Sequence, residues 1–538
     1  MNQMKEKLSD LTRKQTVISL ISILVIGITL RLSFLPSDFP LTLDSFVYFV
    51  YSLAIIEQGP FPTEYLRVNL GWPSFLAIFF SFFNDFNMLE LMSLQRIIAI
   101  SISVATIFPM YRLLRIFFIK KVSLVAVGIF CFEPHLILNS INGGGMPLFV
   151  FLVTSSILFI FYQKRNYFII SFVLIALSTF VRYEGLLLVI PLIVSICLQK
   201  KKTVIKIQDI ILCFGIFLLV LTPILMINYD MEAIVTGEYQ KIGSPILWHF
   251  YIGMNFVTTS IHSDNDISTD RFQDIESDER IPIFLKDLTF GYVKFLFLAS
   301  FPILLIGISA SVLFISKRLT KNRIIFLIFS IMLSISALYA YGRGIEDSRY
   351  LLPIFPIIIV FISVSIRRFM QRKFSNELGI FMIVGVIVIS VFYIDYQISD
   401  YQEQQEIYTA ALFIVNNAEG VNQEPGAKFV KAAEMERNWR ELPDYNRNGK
   451  IQVETNRIDA EEYDTLESFL KNSQHLDLTH ILVYEENNKK FLSEVFHNYN
   501  EYSYLNKVYD SSYLDHKKHI KIFEIDFQEF EKENKLEN

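Results

Sequence analysis

The feature that most constrains this 538-residue chain is a series of eleven long apolar segments. A bilayer core about 30 Å thick is crossed by a helix of about 20 apolar residues. Segments that meet this requirement, some of them short or partly polar, lie at residues 16–35, 92–118, 122–139, 147–163, 166–181, 184–199, 208–227, 291–316, 323–341, 351–368 and 378–396. The sequence therefore predicts a polytopic α-helical membrane protein with about eleven transmembrane helices.

The composition supports this prediction. Hydrophobic residues make up 52% of the chain and charged residues only 19%, whereas a soluble globular domain has about 25% charged residues. An ordinary cytosolic enzyme and a disordered chain are therefore excluded. Cys131, Cys197 and Cys213 all lie inside apolar runs, so that neither a disulfide framework nor a zinc ribbon is expected.

Basic residues collect in every second connection between the apolar segments, and this asymmetry orients the chain. With the N-terminus in the cytoplasm, six basic clusters fall on the cytoplasmic side. They are Lys5/Lys7/Arg13/Lys14, Arg112/Arg115/Lys120/Lys121, Lys164/Arg165, Lys200/Lys201/Lys202/Lys206, Lys317/Arg318/Lys321/Arg323 and Arg367/Arg368/Arg372/Lys373. Because the number of spans is odd, the C-terminal tail is predicted on the outer face of the cell membrane.

The tail differs from the rest of the chain in charge and pattern. Its net charge from Tyr396 to Asn538 is −12, against +7 for the first 395 residues. Apolar runs at His480–Tyr484 and His519–Ile525 predict strands, and 459–471 has a helical pattern. We therefore expect a transmembrane catalytic domain over 1–396 and a small extracytoplasmic α/β domain over 397–538, with no reason to expect nucleic acid as a partner.

The first outer connection, 36–91, is too apolar for a solvated loop. Aromatic-rich helical patterns follow Leu43 and Trp72, and they favour helices that lie in the membrane interface. Asp44 opens the first of these patterns, where it can serve as an N-cap, as a general base at the membrane surface, or as both. The apolar faces of Tyr48 and Trp72 are expected to shape a groove for a sugar or a lipid.

Three further groups of ionisable residues border or interrupt the apolar segments on the predicted outer side. They are Glu133-Pro134-His135, Arg182-Tyr183-Glu184-Gly185 and Glu346-Asp347-Ser348-Arg349-Tyr350. A charge in or near a membrane is costly and usually faces a cavity or a partner. Two simpler explanations stay open, namely that Arg182 only pairs with Glu184 and that Arg349 extends to phospholipid headgroups. The shared side of all three groups and of Asp44 predicts one polar site below the outer surface.

The residue types in this set indicate a chemistry. A planar guanidinium matches a phosphate group, so Arg182 and Arg349 are candidates for holding a lipid-linked phosphate. A carboxylate across the cavity would take a proton from an acceptor hydroxyl, while the cations would stabilise the departing phosphate. Together these roles predict direct transfer of a sugar from a lipid-phosphate carrier, with inversion at the anomeric carbon.

At these residues the chain resembles the GT-C glycosyltransferases, and within them the family 39-like enzymes that use polyprenyl- or dolichyl-phosphate sugars, especially the archaeal members. The resemblance covers residues 1 to about 396 and is carried by Leu43-Asp44-Ser45, Arg182-Tyr183-Glu184-Gly185 and 347–353. It implies a catalytic Asp at position 44 and lipid-phosphate contacts near Arg349. It also implies a second acidic position on the next outer loop, for which Glu133 is the nearest candidate, with His135 beside it.

The chain departs from the family pattern in two ways. The family often has paired acids in the first loop, but here Ser45 follows Asp44. Oligosaccharyltransferases share the architecture and carry a Trp-Trp-Asp motif in their soluble domain, whereas Trp72, Trp248 and Trp439 of this chain are isolated. Transfer of a whole glycan to a protein sequon is therefore disfavoured.

Metal binding has only weak support in the sequence. The segment 444–449 resembles the start of a calcium-binding loop, but Thr455 stands where the closing Glu is required. A turn with Asx chemistry is the better explanation. No metal site and no firm cofactor are predicted, and assistance by a divalent cation is left open.

The leading hypothesis is a glycosyltransferase that moves a monosaccharide to a protein, a lipid-linked glycan or a surface polymer. Asp44 is its expected base, Arg182 and Arg349 its phosphate contacts, and Tyr183, Glu184, Asp347 and Tyr350 their supporting residues. The expected partners are the lipid-linked donor, the acceptor and membrane lipids. The alternative is a lipid or glycolipid flippase or transporter without transferase activity, although the absence of a visible internal repeat and the one-sided charges weigh against it.

Overall fold

The structure is a computed structural model, and it describes residues 11–37, 40–41, 43–59, 69–83, 86–227, 277–300, 320–342, 345, 347–371, 375–417, 445–446, 449–450, 463–474, 478, 480–485, 490–513 and 519–537. The chain divides into two compact units. Residues 1–35 and 47–394 form one, which we call the membrane unit, and residues 36–46 and 395–538 form the other, which we call the C-terminal unit.

The membrane unit consists of helices over its described residues. They are α1 (Arg13–Ser33), α2 (Leu43–Gln58), α3 (Gly71–Phe80), α4 (Met88–Ala105), α5 (Ile107–Phe117), α6 (Lys120–Cys131), α7 (Pro134–Ile141), α8 (Met146–Phe161), α9 (Arg165–Val181), a 3-10 helix (Tyr183–Leu188), α10 (Val189–Cys197), α11 (Thr203–Ile227), α12 (Ser277–Ser300), α13 (Lys321–Gly342), a second 3-10 helix (Ser348–Ile354), α14 (Phe355–Phe369) and α15 (Ser375–Asn417). The first turn of α2 and the last part of α15 belong to the C-terminal unit.

The helices match the apolar segments of the sequence. Among the described residues, six spans are long and apolar enough to cross a membrane, and the bent pair α6–α7 makes a seventh. Three shorter apolar helices, α8, α9 and the stretch from Tyr183 to Cys197, coincide with further predicted spans. The remaining predicted span, 291–316, is helical to Ser300, and its other residues lie outside the described part. The predicted multi-pass helical fold is confirmed.

Large apolar side chains are exposed on the outer helices of the membrane unit. Ile21 on α1 is 55% exposed, and Phe381 and Phe392 on α15 are each 72% exposed. Contiguous apolar surface of this kind is unfavourable in water, but it is the surface that lipid chains solvate. These helix faces therefore fit a membrane environment.

A break between α6 and α7 is built around Pro134. The two helices are bent by 48°, and Pro134 occupies the first turn of α7, where its missing N–H costs nothing. The carbonyl groups left free at the end of α6 are satisfied by other helices: Arg31 Nη2 donates to Cys131 O at 3.0 Å and Ser390 Oγ donates to Phe132 O. The last two carbonyl groups before the break are therefore hydrogen-bonded within the core.

The C-terminal unit contains a small α/β domain. Its strands are β1 (Tyr445–Asn446), β2 (Gly449–Lys450), β3 (His480–Tyr484), β4 (Leu505–Asp510) and β5 (Ile520–Ile525), and its helices are α16 (Leu466–Ser473), α17 (Lys490–Asn498) and α18 (Phe527–Glu537). The last three strands form an antiparallel sheet in the order β3-β5-β4. One face packs on α16–α18 through residues such as Phe469 and Val495, and the other face packs on Ala410 of α15. The predicted α/β domain is confirmed.

Candidate functional site

The chain reverses direction at Arg182, immediately after α9. Arg182 is extended (φ −152°, ψ 133°), and its N–H donates to Ser178 O at 2.8 Å, which closes the helix. The 3-10 helix then starts at Tyr183. A Cβ on Gly185 would lie 2.7 Å from Ser178 Oγ and 2.7 Å from Thr179 N, so a side chain at this position would collide with α9. Glycine therefore permits the close return that places the Arg182 side chain.

The Arg182 guanidinium is held by Glu184. Its Nε and Nη2 donate to Glu184 Oε1 at 3.1 and 2.7 Å, and the two side chains are only 15% and 19% exposed. Burial acts to lower the pKa of Arg182, but the adjacent Glu184 carboxylate more than offsets it, so the pKa lies above the ordinary value. The site therefore contains a permanent, partly desolvated cation.

A second arginine lies at the start of the 3-10 helix Ser348–Ile354. Asp347 caps this helix by accepting from the Arg349 N–H at 2.8 Å through Oδ1, while its Oδ2 lies 2.7 Å from Arg349 Nε. The Asp347 carbonyl in turn accepts from the Tyr341 hydroxyl at 3.0 Å. Asp347 thus fixes both the backbone and the guanidinium of Arg349.

Both guanidinium groups lie against the ring of Tyr350. Arg182 Cζ and Arg349 Cζ are each 5.6 Å from its centroid, within the range of cation–π attraction. Their separation is therefore no more than twice that distance, although the two residues are far apart in the sequence. Two of the charged groups that the sequence singled out come together here, and we call Arg182, Glu184, Asp347, Arg349 and Tyr350 the arginine cluster.

Tyr48 and Tyr183 are joined beside this cluster by Asn69, a residue that sequence reasoning missed. The Asn69 N–H donates to Tyr183 Oη at 3.0 Å, and Asn69 Nδ2 donates to Tyr48 Oη at 3.3 Å. Asn69 has a φ of 73°, a left-handed conformation that Asn tolerates better than most residues. Its sequence context, two residues before Gly71, was the only signal that could have marked it as a turn position.

The close packing of the start of α3 on α9 brings Asn69 towards the end of α9, which Arg182 caps. A Cβ on Gly71 would lie 2.7 Å from Phe180 C and from Val181 N, so the start of α3 touches the end of α9 backbone to backbone. Tyr48 is likewise close enough to Arg182 to act on its charge. Four separate segments therefore contribute to one half-buried polar region of the membrane unit.

Asp44 lies in the first turn of α2, and its side chain is exposed. It is four residues before Tyr48 on the same helix, a spacing at which side chains share a face.

Glu133 and His135 belong to a different environment, the α6–α7 break. Glu133 is fully buried and caps α7, with Oε2 accepting from Leu136 N at 2.7 Å. Its Oε1 lies 2.9 Å from His135 Nδ1, and His135 Nε2 lies 3.1 Å from Tyr393 Oη. Within the described residues, neither side chain forms a hydrogen bond or an ion pair with Arg182 or Arg349. Their observed contacts stabilise the break.

Trp72 is also a buried packing residue. Its side chain is 0% exposed, Nε1 donates to Gly143 O at 3.1 Å, and the ring stacks on Phe75 with centroids 5.9 Å apart. A Cβ on Gly145 would lie 2.9 Å from Trp72 Cβ. The ring is therefore enclosed by protein in this structure, and a groove-lining role for it is not supported by these contacts.

Two short strands lie in the segment that resembled a calcium loop. Tyr445 and Asn446 of β1 pair with Lys450 and Gly449 of β2 in antiparallel register. Asp444, Thr455 and Glu346 lie outside the described residues. The described part of the chain holds no group of three or more His, Cys, Asp or Glu side chains placed to bind a metal ion.

Comparison with known proteins gives matches in structure but not in sequence. No family model matches the chain, and no curated protein matches it. The structure is similar to that of the apo oligosaccharyltransferase of Archaeoglobus fulgidus, with a TM-score of 0.52 and 12% identity over 90% of this chain and 71% of that one. It is also similar to ArnT from Cupriavidus metallidurans bound to undecaprenyl phosphate, with a TM-score of 0.53 and 9% identity over 95% and 98%.

At such low sequence identity, these likenesses concern the fold. The ArnT match extends over nearly the full length of both chains. The fold of this chain is therefore similar to that of these two solved membrane proteins.

Proposed function

We propose that this protein is a glycosyltransferase that takes a monosaccharide from a polyprenyl- or dolichyl-phosphate carrier. The observation that carries the proposal is the convergence of Arg182 and Arg349 on the ring of Tyr350. Two guanidinium groups at one partly desolvated place form a strong site for a phosphate group, because each offers a planar fork of donors.

The carboxylates of the arginine cluster have a defined part in this proposal. Glu184 and Asp347 neutralise the two cations, and a buried or half-buried cation without a partner would be costly. The donor phosphate replaces one or both carboxylates when it binds, and the guanidinium groups then stabilise the charge that develops on the phosphate as the glycosidic bond breaks.

Asp44 is the proposed general base. It lies in the first turn of α2, and its side chain is exposed. Asp44 would remove the proton from the acceptor hydroxyl while that oxygen attacks the anomeric carbon. Attack opposite the leaving phosphate inverts the configuration at this carbon.

The structural neighbours support a lipid-phosphate donor in general terms. One of them, ArnT, is bound to undecaprenyl phosphate, and the other is an oligosaccharyltransferase. For this chain we propose a protein, a lipid-linked glycan or a surface polymer as the acceptor. We place the reaction at the outer face of the membrane because of the distribution of the basic clusters.

The test is consumption of labelled donors by the purified full-length protein. It is incubated with a panel of polyprenyl-phosphate monosaccharides and a mixed acceptor fraction, and release of the lipid phosphate is measured. We expect one donor to be consumed, and Arg182→Gln to lower its affinity by tenfold or more, about the effect of losing one charged hydrogen bond of 1.5–3 kcal/mol.

The matched control is Arg165→Gln, at the other end of the same helix. Arg165 is 55% exposed and lies 3.3 Å from Asp209, whose carboxylate keeps a second partner in Lys201 at 2.9 Å. We expect this variant to keep full activity. If no donor in the panel is consumed but one is moved across a vesicle membrane, the flippase alternative is correct instead.

A further inference from the structure

Asn69 has a hydrogen-bonding group that the described part of the chain leaves unused. Its N–H binds Tyr183 and its Nδ2 binds Tyr48, but its Oδ1 is a buried acceptor without a hydrogen-bond partner among the described residues. Leaving such an atom unpaired is unfavourable, and buried polar atoms in folded proteins are nearly always paired.

Reversing the amide does not remove the problem. Oxygen and nitrogen of an Asn side chain can be exchanged in assignment, and in the reversed orientation the oxygen would accept from the Tyr48 hydroxyl. The NH2 group would then be the one without a partner. In either orientation one group of the carboxamide remains available, as a hydrogen-bond acceptor or as a donor.

The position of this group points to its ligand. Asn69 is linked directly to Tyr183, which follows Arg182 in the chain, and to Tyr48. In a lipid-phosphate sugar, the sugar is bonded directly to the phosphate. A phosphate at Arg182 therefore brings sugar hydroxyls close to Asn69, and a hydroxyl can both donate and accept.

We propose that Asn69 is a specificity-determining residue whose free carboxamide group binds one hydroxyl of the donor's sugar. This inference rests on the proposed function. Because Oδ1 is covered, the hydroxyl binds only when a neighbouring side chain moves, and the Tyr48 hydroxyl is held by a long bond of 3.3 Å. The left-handed backbone of Asn69 fixes the direction of the amide, so that it selects one hydroxyl rather than any polar group.

The experiment compares the natural donor with its single-deoxy analogues in the full-length wild type and in Asn69→Gly. Glycine keeps the left-handed backbone, and so the hydrogen bond to Tyr183, but removes the carboxamide. In the wild type, loss of one particular hydroxyl should lower kcat/KM by about 5- to 100-fold, as expected when a buried polar group loses its partner. In Asn69→Gly, the kcat/KM of the natural donor divided by that of the analogue lacking this hydroxyl should fall to about 1. The same ratios for the analogues that lack another hydroxyl should stay as in the wild type.

Asn69→Asp supplies the second measurement. Its carboxylate is tolerated in the same backbone region and still accepts a hydrogen bond. If this variant works more slowly but keeps the wild-type preference, Oδ1 is the group that binds the hydroxyl; if both variants lose the preference, it is the NH2 group. Because the readout is a ratio between two donors, a general loss of folded protein does not change it.

The outcomes distinguish the role of Asn69 from the proposed function on which it rests. If the wild type consumes no lipid-phosphate sugar, the proposed function fails and the role of Asn69 fails with it. If the wild type consumes a donor but Asn69→Gly discriminates as the wild type does at every hydroxyl, the proposed function survives and the role of Asn69 is wrong.

Discussion

Each arginine of the cluster has a carboxylate partner two residues away in the sequence. Arg182 pairs with Glu184 and Arg349 with Asp347, so each cation is neutralised from within its own segment. Two unneutralised cations could not be brought to one aromatic ring without strong repulsion in a poorly solvated place. The local ion pairs thus allow the site to form. Their carboxylates are the groups that the donor phosphate would displace when it binds.

The substitution Asp44→Asn tests the proposed general base. An amide cannot accept the proton, so we expect kcat to fall by about 10²- to 10⁴-fold, the usual contribution of a general base. Affinity for the donor should be nearly unchanged, because the phosphate contacts are elsewhere. Single-turnover kinetics and donor binding measure the two effects separately, and turnover near the wild-type rate would remove Asp44 from the mechanism.

Among the structural elements, the contact between α3 and α9 matters most for the site. The start of α3 carries Asn69 and the end of α9 carries Arg182, and Gly71 sets how closely they approach. The contact links residues that are more than a hundred positions apart. Helix lengths could be predicted from apolar runs, but such a contact depends on the packing of small residues, which leaves no periodic pattern in the sequence.

Gly71→Ala should therefore disturb both stability and donor binding. Its Cβ would meet backbone atoms at 2.7 Å, and overpacking of this kind typically costs about 1–3 kcal/mol. Gly215→Ala on α11 is the control, since its Cβ would have no atom within 4 Å and alanine is the better helix former. Thermal unfolding in detergent should show a lower midpoint for the first variant and an equal or higher one for the second. Equal midpoints for both would mean that the α3–α9 contact is not tight.

The small sheet of the C-terminal unit should respond to pH through His480. Burial lowers the pKa of His480, with Glu524 opposing the effect, so between the lowered value and about 6.5 the unfolded chain binds more protons than the folded one. The stability due to neutral His480 is fully present above about pH 6.5 and is lost as pH falls through the lowered pKa. The protection factors of β3 and β5, which are exchange rates corrected for the intrinsic effect of pH, should therefore fall on acidification in the wild type and fall less in His480→Gln. An equal fall in both would contradict this.

The α6–α7 break shows where sequence reasoning reached its limit. The charges of Glu133 and His135 inside an apolar segment were recognised, and a polar site was a reasonable prediction for them. Their partners could not be predicted, because Tyr393, the partner of His135, lies far along the chain and Glu133 accepts from Leu136 N as a helix cap. By contrast, Arg182 and Arg349 could be predicted to lie on one side of the membrane, because the basic clusters orient the whole chain.

For the molecule as a whole, the orientation in the membrane is a prediction from the basic clusters. Tyr513 of the C-terminal unit is 75% exposed, which makes Tyr513→Cys a suitable reporter once the exposed Cys197 has been replaced. A membrane-impermeant maleimide added to intact cells should label it. Labelling only after the cells are opened would place the C-terminal unit in the cytoplasm and reverse the predicted topology.

The proposed function requires that Arg182 and Arg349 bind one phosphate together. A double-mutant cycle with Arg182→Gln and Arg349→Gln, read as the dissociation constant of the donor, measures whether they do. Residues that share a partner are coupled by about 0.5–3 kcal/mol, whereas independent sites are additive within about 0.3–0.5 kcal/mol. We predict clear coupling, with the double variant less impaired than the sum of the single variants. If the losses in binding free energy are additive, or if either single variant keeps the wild-type affinity, the two arginines do not bind one phosphate together.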